Sequence, residues 1–164
     1  LYQKRVPYEE ATRIPLIVKL PGKSDERKPE ALFSSVDFLP TLLGLCGLPP
    51  ATSAEGVDYS PLLRAEADAP ERKYLIMQQR GWGCIREDDV KLTLDMEGNE
   101  PRELYRLQSD PYEQNNLVAE PGEAEIIQRL QSAYREWLRD SRTRIGDTEE
   151  ATTISPALRD WKGD

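Results

Sequence analysis

Histidine is missing altogether from the 164 residues. That excludes a Ser-His-Asp triad, a Cys-His dyad and any zinc site with a His ligand for this chain alone. Cysteine occurs only at Cys46 and Cys84, in the apolar settings Leu45-Cys46-Gly47 and Gly83-Cys84-Ile85. Each is expected to be a small buried hydrophobe, ahead of a disulfide or a reactive thiol. Basic residues are in deficit, with 22 Lys and Arg against 30 Asp and Glu and a net charge of −8. Clustered cations of the kind that neutralise phosphates are not supplied, so no nucleic-acid partner is expected. No run approaches the roughly 18 consecutive apolar residues of a membrane span, and no signal-peptide pattern opens the chain. Leu1 stands where a Met would begin a chain. The expectation is a cut inside a longer polypeptide, with any targeting signal upstream.

What is present suffices for one ordinary domain or pieces of two. Residues 13–20 (Arg-Ile-Pro-Leu-Ile-Val-Lys-Leu) form an apolar, β-branched run stopped by Pro21-Gly22. Without polar alternation, such a run predicts a strand buried on both faces of a parallel sheet. Residues 35–47 predict a short helix with Asp37 as N-cap, a stripe of Phe38, Leu39, Leu42, Leu43 and Cys46, and Gly47 as left-handed terminator. That stripe is expected to lie on something apolar. Residues 48–61 read as irregular.

After Pro70 the pattern changes. Segments 74–79, 82–86, 90–95 and 103–107 are separated by the polar turns Arg80-Gly81, Asp88-Asp89 and Glu97-Gly98-Asn99. This spacing predicts an antiparallel meander of about four strands. Val90, Leu92 and Leu94 alternate with Lys91, Thr93 and Asp95, which predicts one buried face and one wet one. From Pro121 the stripe Ile126, Ile127, Leu130, Tyr134, Trp137 and Leu138 predicts a helix that covers the buried face. Beyond Asp140 a polar extended tail is expected, with Ile154, Leu158 and Trp161 as anchors.

Several segments together resemble one family. Lys4-Arg5-Val6-Pro7-Tyr8-Glu9-Glu10-Ala11-Thr12-Arg13-Ile14-Pro15-Leu16-Ile17 is similar to the Lys-x-x-x-Tyr-Glu-x-x-x-Arg-x-Pro-Leu-Ile block of the type I sulfatases. Ser35-Val36-Asp37-Phe38-Leu39-Pro40-Thr41-Leu42-Leu43 resembles the helix that follows it, and Gly56-Val57-Asp58-Tyr59-Ser60-Pro61-Leu62-Leu63 the next loop. Glu103-Leu104-Tyr105-Arg106-Leu107 with Asp110-Pro111-Tyr112-Glu113-Gln114-Asn115-Asn116-Leu117 is similar to the family's closing signature.

The resemblance implies an α+β chain whose C-terminal four-stranded antiparallel sheet packs on a long C-terminal helix. Before it would come the last strand and helix of an alkaline-phosphatase-like α/β domain. Residues 1–65 would end that large domain, 66–140 would form the C-terminal subdomain, and 141–164 would be a polar tail. The parent would be a sulfuric ester hydrolase that needs a formylglycine and a calcium ion. Neither cysteine lies in the Cys/Ser-x-Pro/Ala-x-Arg maturation context, and no metal ligand is assigned here, so the chain alone is expected to be inactive.

By the same resemblance, Lys4 contacts the sulfate oxygens. Arg80, Trp82 and Arg86 surround a hairpin that in similar proteins can wall the substrate pocket, where arginines meet an anionic sugar and Trp82 stacks on a ring. The plainer reading makes Trp82 a partly buried strand residue and both arginines solvated. Glu9 and Arg13 read as structural, and Asp110-Pro111-Tyr112-Glu113 as a turn rather than a metal site. The resemblance implies a sulfated small molecule or glycan as partner and favours a periplasmic or secreted compartment. No membrane partner is expected, from the lack of a long apolar run, and the apolar surface that the isolated chain would leave uncovered around Leu16 and Leu42 favours a homo-oligomer. Two alternatives stay open: a phosphonate or phosphate ester hydrolase of the same superfamily, and a non-catalytic binding module.

Overall fold

The computed structural model describes residues 6–22, 27–51, 54–66 and 68–146, with side chains through residue 141. Lys4 and the anchors Ile154, Leu158 and Trp161 lie outside the described residues. The elements run α1 (Glu9–Thr12), α2 (Phe38–Leu45), α3 (Ser60–Arg64), β1 (Leu75–Gln79), β2 (Trp82–Glu87), β3 (Val90–Leu94), β4 (Pro101–Arg106) and α4 (Ala124–Gly146).

The four strands pair antiparallel in the order β1-β2-β3-β4. Gln79 faces Trp82 and Glu87 faces Val90 across two-residue turns. Gly81 and Asp88 supply the positive φ values, +100° and +48°, that tight hairpins require. On one face Ile85, Val90, Leu92, Leu94 and Leu104 meet Ile127, Leu130, Tyr134 and Leu138 of α4 to form the core. This is the predicted covering helix. The free edge of β4 is closed by Asn116, whose Oδ1 accepts the Leu104 N–H at 3.0 Å while the Leu117 N–H donates to the Leu104 carbonyl at 2.9 Å. An unpaired edge is thereby removed.

Several expectations need correction. All five residues of β3 are buried, so the second face of the meander is covered by protein rather than wet. Residues 13–20 make no strand: Ile14, Leu16, Ile17 and Val18 are exposed, Ile17 by 93%. A strand needs ladder partners, and among the described residues no other strand lies beside this segment.

The stripe of α2 is likewise turned outward, with Phe38, Leu39 and Leu42 exposed. Pro40 and Thr41 are the buried side of that helix, because Thr41 Oγ1 accepts the Tyr59 N–H at 3.0 Å. Asp37 does not cap α2. Its carboxylate accepts the N–H groups of Ser34 at 2.7 Å and Val57 at 2.8 Å and pairs with the Arg72 guanidinium. Gly47 ends the helix as predicted at φ +67°. Cys46 is exposed rather than buried, while Cys84 is buried. Within residues 48–61, expected to be irregular, α3 begins at Ser60. Finally, α4 continues to Gly146, past the point where the tail was expected. No described helix is long and apolar enough to cross a membrane.

Candidate functional site

The sheet face opposite α4 carries Trp82, Cys84 and Arg86 from β2, Lys91 and Thr93 from β3, and Glu103 and Tyr105 from β4, by the alternation of each strand and the register Cys84↔Thr93, Arg86↔Lys91, Lys91↔Tyr105. Residues 7–12 lie across it. Pro7 is buried, the Tyr8 hydroxyl donates to Glu103 Oε1 at 3.0 Å, and the Tyr8 and Tyr105 rings meet edge-on at 6.4 Å.

Beneath this segment sits a buried ionic cluster. The Lys91 side chain is fully buried, with its Nζ 3.0 Å from Glu9 Oε1 and 2.8 Å from Glu113 Oε1. Glu113 Oε2 accepts the backbone N–H of Glu9 at 2.6 Å. Arg86 reaches the other oxygen of Glu9 at 3.3 Å and donates through Nε to the Asp88 carbonyl at 2.8 Å. Two cations thus face two carboxylates, and each buried charge finds an opposite one, the condition for burying it at all. Glu113 takes up φ +53° in the turn that Asp110 organises, its carboxylate accepting the Gln114 and Asn115 N–H groups at 3.1 and 2.8 Å.

The face holds protons tightly. Burial pushes the Cys84 thiol up to about 12, and burial together with the Glu103 charge pushes the Tyr105 phenol up to about 12. The hydrogen bond to Glu103, with burial, raises the Tyr8 phenol as well. At neutral pH these groups are protonated and poor nucleophiles. Among the described residues no three His, Cys, Asp or Glu side chains come together to hold a metal ion. Neither cysteine lies in a formylglycine maturation context. What the arrangement can do is hold residues 7–12 in one register.

The structure brings Trp82 and Arg86 onto one face of β2, four residues and about 13 Å apart. Arg80 is exposed in the adjoining hairpin turn and Trp82 is half-buried. Arg86 is engaged by Glu9 rather than open. Sequence reasoning placed Lys91 on the wet face and gave it no role, whereas it is fully buried. Its only signal was that both partners, Glu9 and Glu113, fall inside the blocks that resemble the sulfatases.

Comparison with known proteins decides the family. The pattern described as N-sulphoglucosamine sulphohydrolase, C-terminal, matches residues 1–140. The chain belongs to this sulfatase family. A delta 4,5-hexuronate-2-O-sulfatase of Bacteroides thetaiotaomicron is 30% identical over 85% of this chain and 30% of its own length. A structure from the same organism, described as that of a sulfatase, superposes with a TM-score of 0.58 at 28% identity, over 85% of this chain and 32% of that one. A phosphonate monoester hydrolase from Silicibacter pomeroyi shares the fold, with a TM-score of 0.57 at 22% identity over 83% of this chain and 29% of that one. This sulfatase chain thus spans about a third of the length of the relatives it matches.

Proposed function

We propose that the chain is the C-terminal part of a formylglycine-dependent sulfatase that hydrolyses a sulfate ester, on a sulfated sugar or other small molecule, to an alcohol and inorganic sulfate. The observation that carries this reading is the family match over residues 1–140, which includes the Lys4 block. Lys4 would bind sulfate oxygens and stabilise the charge that builds on the transferring group. One such donor is worth about 2.7–4 kcal/mol in comparable sites. Arg80 and Trp82, at the outer end of the sheet face, would line the sugar. Arg86 would serve the same wall while tied to Glu9. The 164-residue chain alone would not turn over, because its described residues supply no metal cage and its cysteines no maturation context.

The test is the full-length polypeptide assayed against a panel of sulfated sugars, nitrophenyl sulfate and a phosphonate monoester. Release of sulfate, with Lys4→Ala lowering kcat about a hundredfold, supports the reading. Faster turnover of the phosphonate ester, or an unchanged kcat in Lys4→Ala, overturns it.

A further inference from the structure

Lys91 stands on β3, an interior strand fixed by a neighbour on each side. Its ammonium is the rigid end of a connection that begins there and finishes on Glu9, through the Glu9 carboxylate at 3.0 Å and through Glu113, which holds both Lys91 at 2.8 Å and the Glu9 N–H at 2.6 Å. The side chains of Lys91 and Glu113 are 0% and 1% exposed. Such a cluster is a poor way to gain stability, since apolar side chains of the same volume commonly serve as well or better. What it provides that apolar packing does not is register. Each carboxylate oxygen has one partner, so the 7–12 segment can neither slide nor rotate without leaving a buried charge unpaired. The two adjacent tyrosine contacts, Tyr8 with Glu103 and with Tyr105, hold the same segment from the next residue.

Lys4 lies five residues before Glu9, at most about 17 Å of extended chain. We infer that Lys91, with Glu9 and Glu113, is the positioning device that fixes the stretch of backbone presenting Lys4 to the sulfate group. This rests on the sulfatase reading above and deepens it by assigning positioning residues, two of which, Lys91 and Glu113, lie far from Lys4 in sequence. Displacements of about 1 Å in a group of this kind cost up to a hundredfold in rate, so a loosened anchor should be felt in kcat, beyond the loss of stability that an unpaired buried charge brings.

The experiment uses the full-length polypeptide, on the sulfate ester that the panel identifies, with melting temperatures recorded and assays run well below them. Glu9→Gln keeps the shape and removes the charge. It is expected to lower kcat about tenfold or more while the protein stays folded. The double variant Lys4→Ala/Glu9→Gln is expected to be no slower than Lys4→Ala alone, within about twofold, because the anchor has nothing left to position. A merely structural role would lower the melting temperature without this non-additivity. If Glu9→Gln does not fold at the assay temperature, Glu113→Gln, which releases the same lysine from the other side, takes its place in the cycle. An unchanged kcat in the folded anchor variant, or losses that multiply in the double variant, overturns the inference while leaving the sulfatase reading intact. An unchanged kcat in Lys4→Ala overturns both.

Discussion

Gly83→Ala should be one of the most damaging single-methyl additions in this chain. Gly83 sits on the α4 side of β2 opposite Gln78, and a Cβ there would stand 2.0 Å from the Tyr134 hydroxyl and 2.3 Å from its ring carbon Cζ. The tyrosine cannot yield cheaply. It is fully buried, its hydroxyl donates to the Met96 carbonyl at 3.2 Å, and it accepts from Gln78 Nε2 at 3.0 Å. Overpacking of this kind costs about 1–3 kcal/mol, and disturbing two hydrogen bonds adds about 0.5–1.5 kcal/mol each. The sum is about 2–6 kcal/mol, which for a chain of this size lowers the melting temperature by roughly 5–20 °C. Thermal unfolding followed by circular dichroism measures it. Tyr134→Leu removes the ring tip and should absorb part of the penalty, so the double variant should be more stable than the sum of the two singles by about 0.5–3 kcal/mol. A Gly83→Ala melt within about 2 °C of the parent chain, or penalties that simply add, would refute the steric reasoning.

Thiol titration should find Cys46 prompt and Cys84 silent until denaturant is added, since one is exposed and the other buried; two fast thiols would show that the sheet face is open. Stability should fall as pH rises above about 9. Below that value the Cys84 thiol is protonated folded and unfolded alike, whereas between its ordinary value of 9.0 and the folded value of about 12 only the unfolded chain ionises. Denaturant midpoints against pH should therefore flatten in Cys84→Ala, and an identical slope in both proteins would remove the thiol from the account. The exposed Ile17, Phe38, Leu39 and Leu42 should make the isolated 164-residue chain self-associate. Sedimentation should show oligomers that Ile17→Asp with Leu42→Asp reduces, and a sharp monomer of the unaltered chain would contradict this.

Local pattern carried most of the sheet and of α4. Turn residues at Gly81 and Asp88–Asp89, alternation along β3 and the helical stripe through Leu130 and Tyr134 are short-range signals, and the strands they predicted pair in that order. The resemblance of the blocks around Tyr8-Glu9 and Asp110-Pro111-Tyr112-Glu113 named the family that the comparison over residues 1–140 shows. Where residues had only one neighbour to satisfy, sequence sufficed.

Tertiary structure alone decided what the second face of the sheet is for. Alternation assigns Lys91 to solvent, and nothing within several residues of it says otherwise. Its partners lie 82 positions earlier and 22 later, 91 − 9 and 113 − 91, and a charge can be buried only where such distant groups arrive together. The same holds in reverse for residues 14–18 and α2. Their apolar residues predict burial, yet burial depends on a covering surface, and among the described residues Ile14, Leu16, Ile17, Val18, Leu39 and Leu42 stay exposed while Phe38 meets Phe33 edge-on.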